Sequence, residues 1–355
     1  MKTLRLRVDP EHLDSAEAQE ALGRGAQILR AGGLVALPTE TVYGLGAHAL
    51  DPAAVARIFA AKQRPAWDPV IVHVAGPDRA KEMLEGLVRF EGPAEEDRAR
   101  RLMAAFWPGP LTLLLRRTAA VPDAVTAGRA LVGVRMPAHP VALELIRRAG
   151  VPVAAPSANL FGHTSPTTAE HVLEDLDGRI DAVVDAGPTG LGVESTVLDA
   201  TQSPMVIYRP GAVTEEQIRA VAGAVEVFVS EKLHENPPEA LPSPGVGLKH
   251  YAPQARLVLV DALMKEMETQ FAELAARFAG ERVGVMLPAE VTAPPSAQAF
   301  AWGRWDAPEE LARNLYAGLR ALDAQGCTVI VCPLPRAEGI GAAMRDRLLK
   351  AGTRL

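Results

Sequence analysis

Apolar positions fall along this chain in two rhythms. Short apolar runs at Leu34–Leu37, Val70–Val74, Leu111–Leu115, Leu131–Met136, Val151–Ala155, Ala182–Asp185 and Val206–Gly211 read as buried strands, and TLRLRV near the start reads as an alternating one. Between them the spacing becomes helical. A helix is predicted over Ser15–Ala31 with Ala21, Leu22, Ile28 and Leu29 turned inward. Another begins at Asp51-Pro52, an N-cap followed by a first helical proline, and carries Val55, Ile58 and Phe59 on its apolar face. Lys81–Leu87 and Glu95–Phe106 read as charged surface helices, and Phe106-Trp107-Pro108-Gly109-Pro110 as a break with Trp107 as a packing residue. Alternating strands and helices predict an α/β fold.

The pattern lapses in SEKLHENPPEALPSPGVGLKHYAPQ, which is rich in Pro, Gly and charge and reads as a linker. A new alternation follows. ARLVLVD, RVGVML and CTVIVCPL are strands; Leu263, Met267, Phe271, Leu274 and Phe278 form one helical stripe, and Leu311, Leu315, Leu319 and Leu322 another. Asp306 and Glu309 have capping-box spacing, and a last helix covers 341–351. The division is 1–225, a linker over 226–254, and a smaller α/β domain over 255–355.

Composition narrows the class. The 355 residues are 48% hydrophobic and 23% charged, as in an ordinary soluble globular protein. MKTLRLRVDPEHL has no apolar core of a secretory signal, and no uncharged apolar run approaches the ~20 residues of a membrane helix, so a cytoplasmic location is expected. A net charge of −6 argues against a broad electrostatic grip on nucleic acid. Cys327 and Cys332, five apart in a predicted strand, would point to opposite faces, so neither a disulfide nor a metal pair is expected; the histidines lack zinc-site spacing.

Candidate chemistry concentrates in GLVALPTETVYGLGAHALDPAAVARIFAAKQRPAWDPVIVHV, residues 33–74. The strand 34–37 stops at Pro38, and Thr39, Glu40, Thr41 and Tyr43 follow, all able to touch a ligand. Gly44 and Gly46 allow a sharp turn or a close ligand approach. Lys62 and Arg64, just past the helix, suit an anion with several oxygens, or a solvated helix cap. His73 is a lone histidine in a strand, a ligand contact or a core residue. Arg135 lies in the apolar VGVRMP run and needs a carboxylate partner, from the protein or from a ligand. VPVAAPSAN again runs strand, proline, then Ser157 and Asn159, where open α/β sheets place ligands. Gly187, Gly190 and Gly192 form a flexible loop before Glu194, Ser195 and Thr196, with no Walker A sequence anywhere.

PTETVYGLG, then K-x-R-P, then P-x-I-V-H, with SAN, E-S-T, R-P-G and SPG…HYAP in order, resembles the threonylcarbamoyl-AMP synthase family of YrdC-like proteins, in its two-domain form and over nearly the whole chain. The resemblance implies a YrdC-like twisted open sheet with a concave pocket, a linker folding over it, and a Rossmann-like C-terminal domain. It implies condensation of L-threonine, bicarbonate and ATP to threonylcarbamoyl-AMP and pyrophosphate, Mg²⁺ entering with ATP, and a separate tRNA threonylcarbamoyl transferase downstream. By position it implies Lys62 and Arg64 as the catalytic cations. ATP would be held by these two with Asp68, Ser157, Asn159, Ser165, Arg209 and Tyr251. Threonine would be held by Thr39, Thr41, His73, Arg135, Ala155 and Ser195. Trp67-Asp68 replaces the Asp-Asn frequent in relatives, and the linker lacks the Lys-Tyr that some carry after SPG. An RNA-binding protein and a carbamoyltransferase with the same domain type are the alternatives.

Overall fold

The apolar runs of the first half become strands of one sheet, and the polar-faced stretches between them become helices. In a computed structural model of the chain, residues 2–75, 77–228, 251–261 and 263–354 are described. Most of the predicted linker, including His250 and its expected closure over a pocket, lies outside them. Within the described residues the chain divides into two units, one of 2–161, 166–189 and 194–228, the other of 162–165, 190–193 and the C-terminal residues from 251.

The first unit runs β1 (Leu4–Arg7), α1 (Ala16–Arg30), β2 (Val35–Leu37), β3 (Gly44–His48), α2 (Pro52–Lys62), β4 (Ile71–His73), α3 (Pro77–Leu87), β5 (Val88–Arg89), α4 (Pro93–Phe106) and β6 (Leu111–Arg117). It continues through α5 (Asp123–Thr126), β7 (Leu131–Arg135), α6 (Pro140–Ala149), β8 (Val153–Ala154), α7 (Ala169–Leu176), β9 (Ala182–Asp185), β10 (Thr196–Asp199), β11 (Met205–Arg209), α8 (Glu215–Ala222) and β12 (Val225–Val227). The sheet order is β1-β9-β2-β3-β8-β4-β7-β6-β10-β11-β12, with β5 on β6. Parallel and antiparallel pairs mix. Local signals hold where they have a mechanism. Ser15 caps α1 by accepting from Ala18 N–H at 3.2 Å, and Asp51 caps α2 by accepting from Ala53 N–H at 2.9 Å. Trp107 packs on the core and donates its indole N–H to Leu111 O at 2.7 Å.

Two expectations in this unit change. Gly44 and Gly46 are not turn residues but lie in β3, which runs antiparallel to β2. A Cβ on Gly46 would sit 2.8 Å from Leu37 Cδ2 and 2.9 Å from Val153 Cγ1, so the glycine serves sheet packing. Lys62 is not beyond α2 but closes its last turn, and the left-handed Gln63 (φ 54°) ends the helix instead.

The second unit runs β13 (Arg256–Val260), α9 (Met264–Arg277), β14 (Val283–Pro288), β15 (Gln298–Gly303), α10 (Pro308–Ala324), β16 (Val329–Pro333), α11 (Ile340–Ala351) and β17 (Thr353–Arg354). Its sheet order is β15-β14-β16-β13-β17, every pair parallel. Met267 and Phe271 of α9 are buried with Val283, Val285 and Val331. Leu263 is 62% exposed ahead of the helix rather than on its stripe. No capping box forms at α10, because Pro308 opens the helix and makes Ala307 the cap. Cys327 precedes β16 rather than sharing a strand with Cys332; both are buried and free. Gly192 is held, not loose. At φ 76° its missing Cβ would lie 2.3 Å from Ala312 O, and Arg313 donates to Gly190 O at 3.0 Å.

Candidate functional site

Strand alternation sorts the central strands into two faces. Val72, Leu113, Val132, Val134 and Leu198 join the main core, whereas Ile71, Leu114 and Val197 form a separate small cluster with Leu131 and Tyr208. His73, Thr112, Arg135 and Ser195 alternate in phase with that second set. His73 is the direct cross-strand partner of Arg135, and Leu113 pairs with Val134, which brings Thr112 level with Arg135. Val197 pairs with Thr112, so Ser195 lies on the same face two residues before that level.

Arg135 is 4% exposed. It donates from Nε to Gly109 O at 3.1 Å and from Nη1 to Thr41 Oγ1 at 3.0 Å, and its Nη2 lies 2.6 Å from Glu40 Oε1. The carboxylate its burial demands is therefore Glu40. Thr39 fixes the hydroxyl order. Its Oγ1 donates to Val42 O at 2.6 Å while accepting from Val42 N–H, so across the 2.7 Å Thr39–Thr41 contact Thr41 is the donor, leaving Thr41 to accept from Arg135. His73 is neutral: burial, and after it the Arg135 charge, push its pKa down to about 3.

Arg209 reaches this face through a bulge. Val197 pairs with Arg209 but Leu198 with Ile207, so Tyr208 is the extra residue. In regular register Arg209 would share the core face with Ile207; the bulge turns it to donate from Nη2 to Ser195 Oγ at 3.1 Å and from Nε to Ser195 O at 3.0 Å. Ser195 Oγ also lies 2.8 Å from Thr112 Oγ1.

A second cluster joins the end of α2 to the loop after β8. Lys62 is buried and donates to Ser157 O at 2.6 Å and to Asn159 O; burial, then the Arg64 charge, hold its pKa well below the usual lysine range. Arg64 closes its own loop, donating to Asp68 O and Pro69 O and pairing with Asp68 Oδ2 at 2.9 Å. Asp68, a charge hard to accommodate beside phosphates, is thus neutralised by Arg64. Ala155 donates its N–H to Ile71 O at 2.8 Å and is buried. Exposed Trp67 meets Phe161 edge to face at 6.0 Å.

The structure thus brings Thr39, Thr41, His73, Arg135, Ser195 and Arg209 onto or beside one sheet face and ties Lys62 to Ser157 and Asn159. Ser165 and Tyr251 belong to the second unit. There Ser165 is buried, and Tyr251, at φ 66°, stacks on Tyr316 at 6.1 Å with the Arg347 guanidinium 5.3 Å from its ring centre. Sequence reasoning passed over Thr112. Its signal was that of Arg135, a polar residue inside an apolar run, LTLLL. Among the described residues no group of three or more His, Cys, Asp or Glu side chains could hold a metal, and no helix is long and apolar enough to cross a membrane.

Residues 27–211 match a family model described as telomere recombination, and residues 213–353 match one described as threonylcarbamoyl-AMP synthase, C-terminal domain. A threonylcarbamoyl-AMP synthase of Pyrococcus abyssi is 44% identical over 92% of this chain and 92% of its own length. One of Bacillus subtilis is 43% identical over 99% of this chain and 98% of its own. A crystal structure of P. abyssi Sua5 complexed with L-threonine superposes with a TM-score of 0.88 at 39% identity, covering 100% of each chain.

Proposed function

The chain belongs to the threonylcarbamoyl-AMP synthase family, and we propose that it condenses L-threonine, bicarbonate and ATP to L-threonylcarbamoyl-AMP, releasing pyrophosphate. The observation that carries this reading is the buried Arg135, set among Thr41, His73, Thr112 and Ser195 on one sheet face. A guanidinium with hydroxyls around it is a receptor for a small carboxylate that itself carries a hydroxyl. The threonine-bound relative supports the same ligand.

Threonine's carboxylate would lie on Arg135, with Thr39, Thr41, His73, Ala155 and Ser195 around the amino acid. A neutral His73 adds polarity there without a second cation. ATP would take Lys62, Arg64, Asp68, Ser157, Asn159 and Arg209 of the first unit. Lys62 and Arg64 would exchange backbone carbonyl partners for phosphate oxygens. The uncharged amine of threonine attacks the carbon of CO2 with loss of a proton to solvent, or that of bicarbonate with loss of water, and a carbamate oxygen then attacks the α-phosphorus while pyrophosphate leaves. No enzyme nucleophile is required, so the side chains contribute positioning and charge stabilisation. Mg²⁺ in this reading travels on the nucleotide's phosphates, since the described residues offer no cage of their own. The product would pass to a tRNA threonylcarbamoyl transferase, which carries with it a cytoplasmic location and no tight direct binding of nucleic acid.

The test is pyrophosphate release from ATP with bicarbonate present, on adding L-threonine and then L-serine. Threonine-stimulated release that requires bicarbonate is expected. Release indifferent to either amino acid would overturn the reading and move the carbamoyltransferase and RNA-binding alternatives forward.

A further inference from the structure

The cluster around Arg135 contains an anion to which the assignments above give no role toward the substrate. Both carboxylate oxygens of Glu40 are buried, and neither has a hydrogen-bond partner in hydrogen-bond geometry among the described residues. The ion pair with Arg135 Nη2 at 2.6 Å compensates the charge but leaves the carboxylate's acceptor capacity unused. Buried acceptors of that kind cost stability unless a donor arrives. Of the nearby donors, Thr41 Oγ1 donates to Thr39, Arg135 Nη1 and Nε donate to Thr41 and Gly109, and Arg135 Nη2 faces Glu40 outside hydrogen-bond geometry.

An α-amino acid carries its carboxylate and its ammonium on one carbon, and this cluster holds a guanidinium and a carboxylate in contact. We propose that Glu40 receives the α-ammonium of the substrate while Arg135 takes its carboxylate, so that the pair reads both ends of a zwitterion. This rests on the amino-acid substrate proposed above. Paired, the two side chains satisfy each other's charge; a zwitterion between them would give each an opposite partner, with no change in net charge. Glu40 thereby sets specificity, because a carboxylate lacking the ammonium would meet Glu40 as a like charge. Its position beside Thr41 in PTET ties the amine to the same turn that anchors Arg135.

Calorimetric titration of the full chain, with a non-hydrolysable ATP analogue present, tests this with L-threonine and with 3-hydroxybutyrate, the same skeleton without the amine. Wild-type protein is expected to prefer threonine by at least about tenfold, the range of a charge-assisted hydrogen bond. Glu40→Gln should weaken threonine by about 10–100-fold and leave 3-hydroxybutyrate equal or tighter. A merely structural glutamate would weaken both ligands alike. Equal wild-type affinity for the two ligands overturns the proposal without any variant, as does a Glu40→Gln protein that keeps its threonine affinity. Wild-type protein that binds no threonine would instead remove the amino-acid reading itself, so the two failures are distinguishable.

Discussion

At the scale of single residues, Arg135 and Glu40 form a buried charge pair whose proposed ligand role can be separated from its part in the fold. Arg135→Ala should raise the threonine requirement by at least about tenfold while ATP binding survives. It also strands the Glu40 carboxylate, at up to about 3 kcal/mol of stability. The double change Arg135→Ala/Glu40→Gln should recover much of that stability in urea unfolding and none of the threonine affinity; recovered affinity would take the carboxylate contact away from Arg135. His73 makes a prediction with a definite sign. Its folded pKa of about 3 lies below the ordinary 6.5, so as pH falls through 6.5 the unfolded chain takes up a proton that the folded chain refuses. Stability is lost on that descent, by about 2 kcal/mol at pH 5 relative to pH 8. Denaturant midpoints at the two pH values should therefore differ less in His73→Gln than in the wild type; equal differences would mean that His73 is protonated in the fold.

At the scale of elements, caps and apolar spacing were legible because their causes are local. Ser15, Asp51 and the stripe of Met267 and Phe271 each act within a few residues of themselves. β3 was not legible. Its sequence GLGAH has the signature of a turn, and only the approach of Leu37 and Val153 explains why glycine occupies the strand. Gly46→Ala should accordingly destabilise the protein by about 1–3 kcal/mol in urea unfolding, and an unchanged midpoint would show that β2 and β8 yield easily. The bulge at Tyr208 was equally hidden. VIYRPG alternates like any strand, and Arg209 gains the site face only because β10 and β11 pair with a shifted register. The Asp306–Glu309 spacing shows the converse, a local signal overruled when Pro308 took the first helical position.

At the scale of the whole molecule, each unit closes its own sheet, one mixed and one wholly parallel. Ending the chain after residue 235 should leave the first unit folded, with near-native far-ultraviolet circular dichroism, but impair threonine-dependent pyrophosphate release. Full turnover by that shortened chain would make everything beyond it, His250 and Tyr251 included, dispensable for the reaction.

The sequence by itself determined the α/β class, the linker's composition, most helices and the family, because apolar period, capping chemistry and ordered motifs are written in neighbouring residues. It also marked Arg135 as a charge in need of a partner. Tertiary structure alone decided that the partner is Glu40, that Thr112 and Ser195 share the face of Arg135, and that Lys62 is enclosed by the carbonyls of Ser157 and Asn159. These contacts join residues up to 97 positions apart, as Lys62 and Asn159 are, and their geometry depends on strand order and register, which no local pattern encodes.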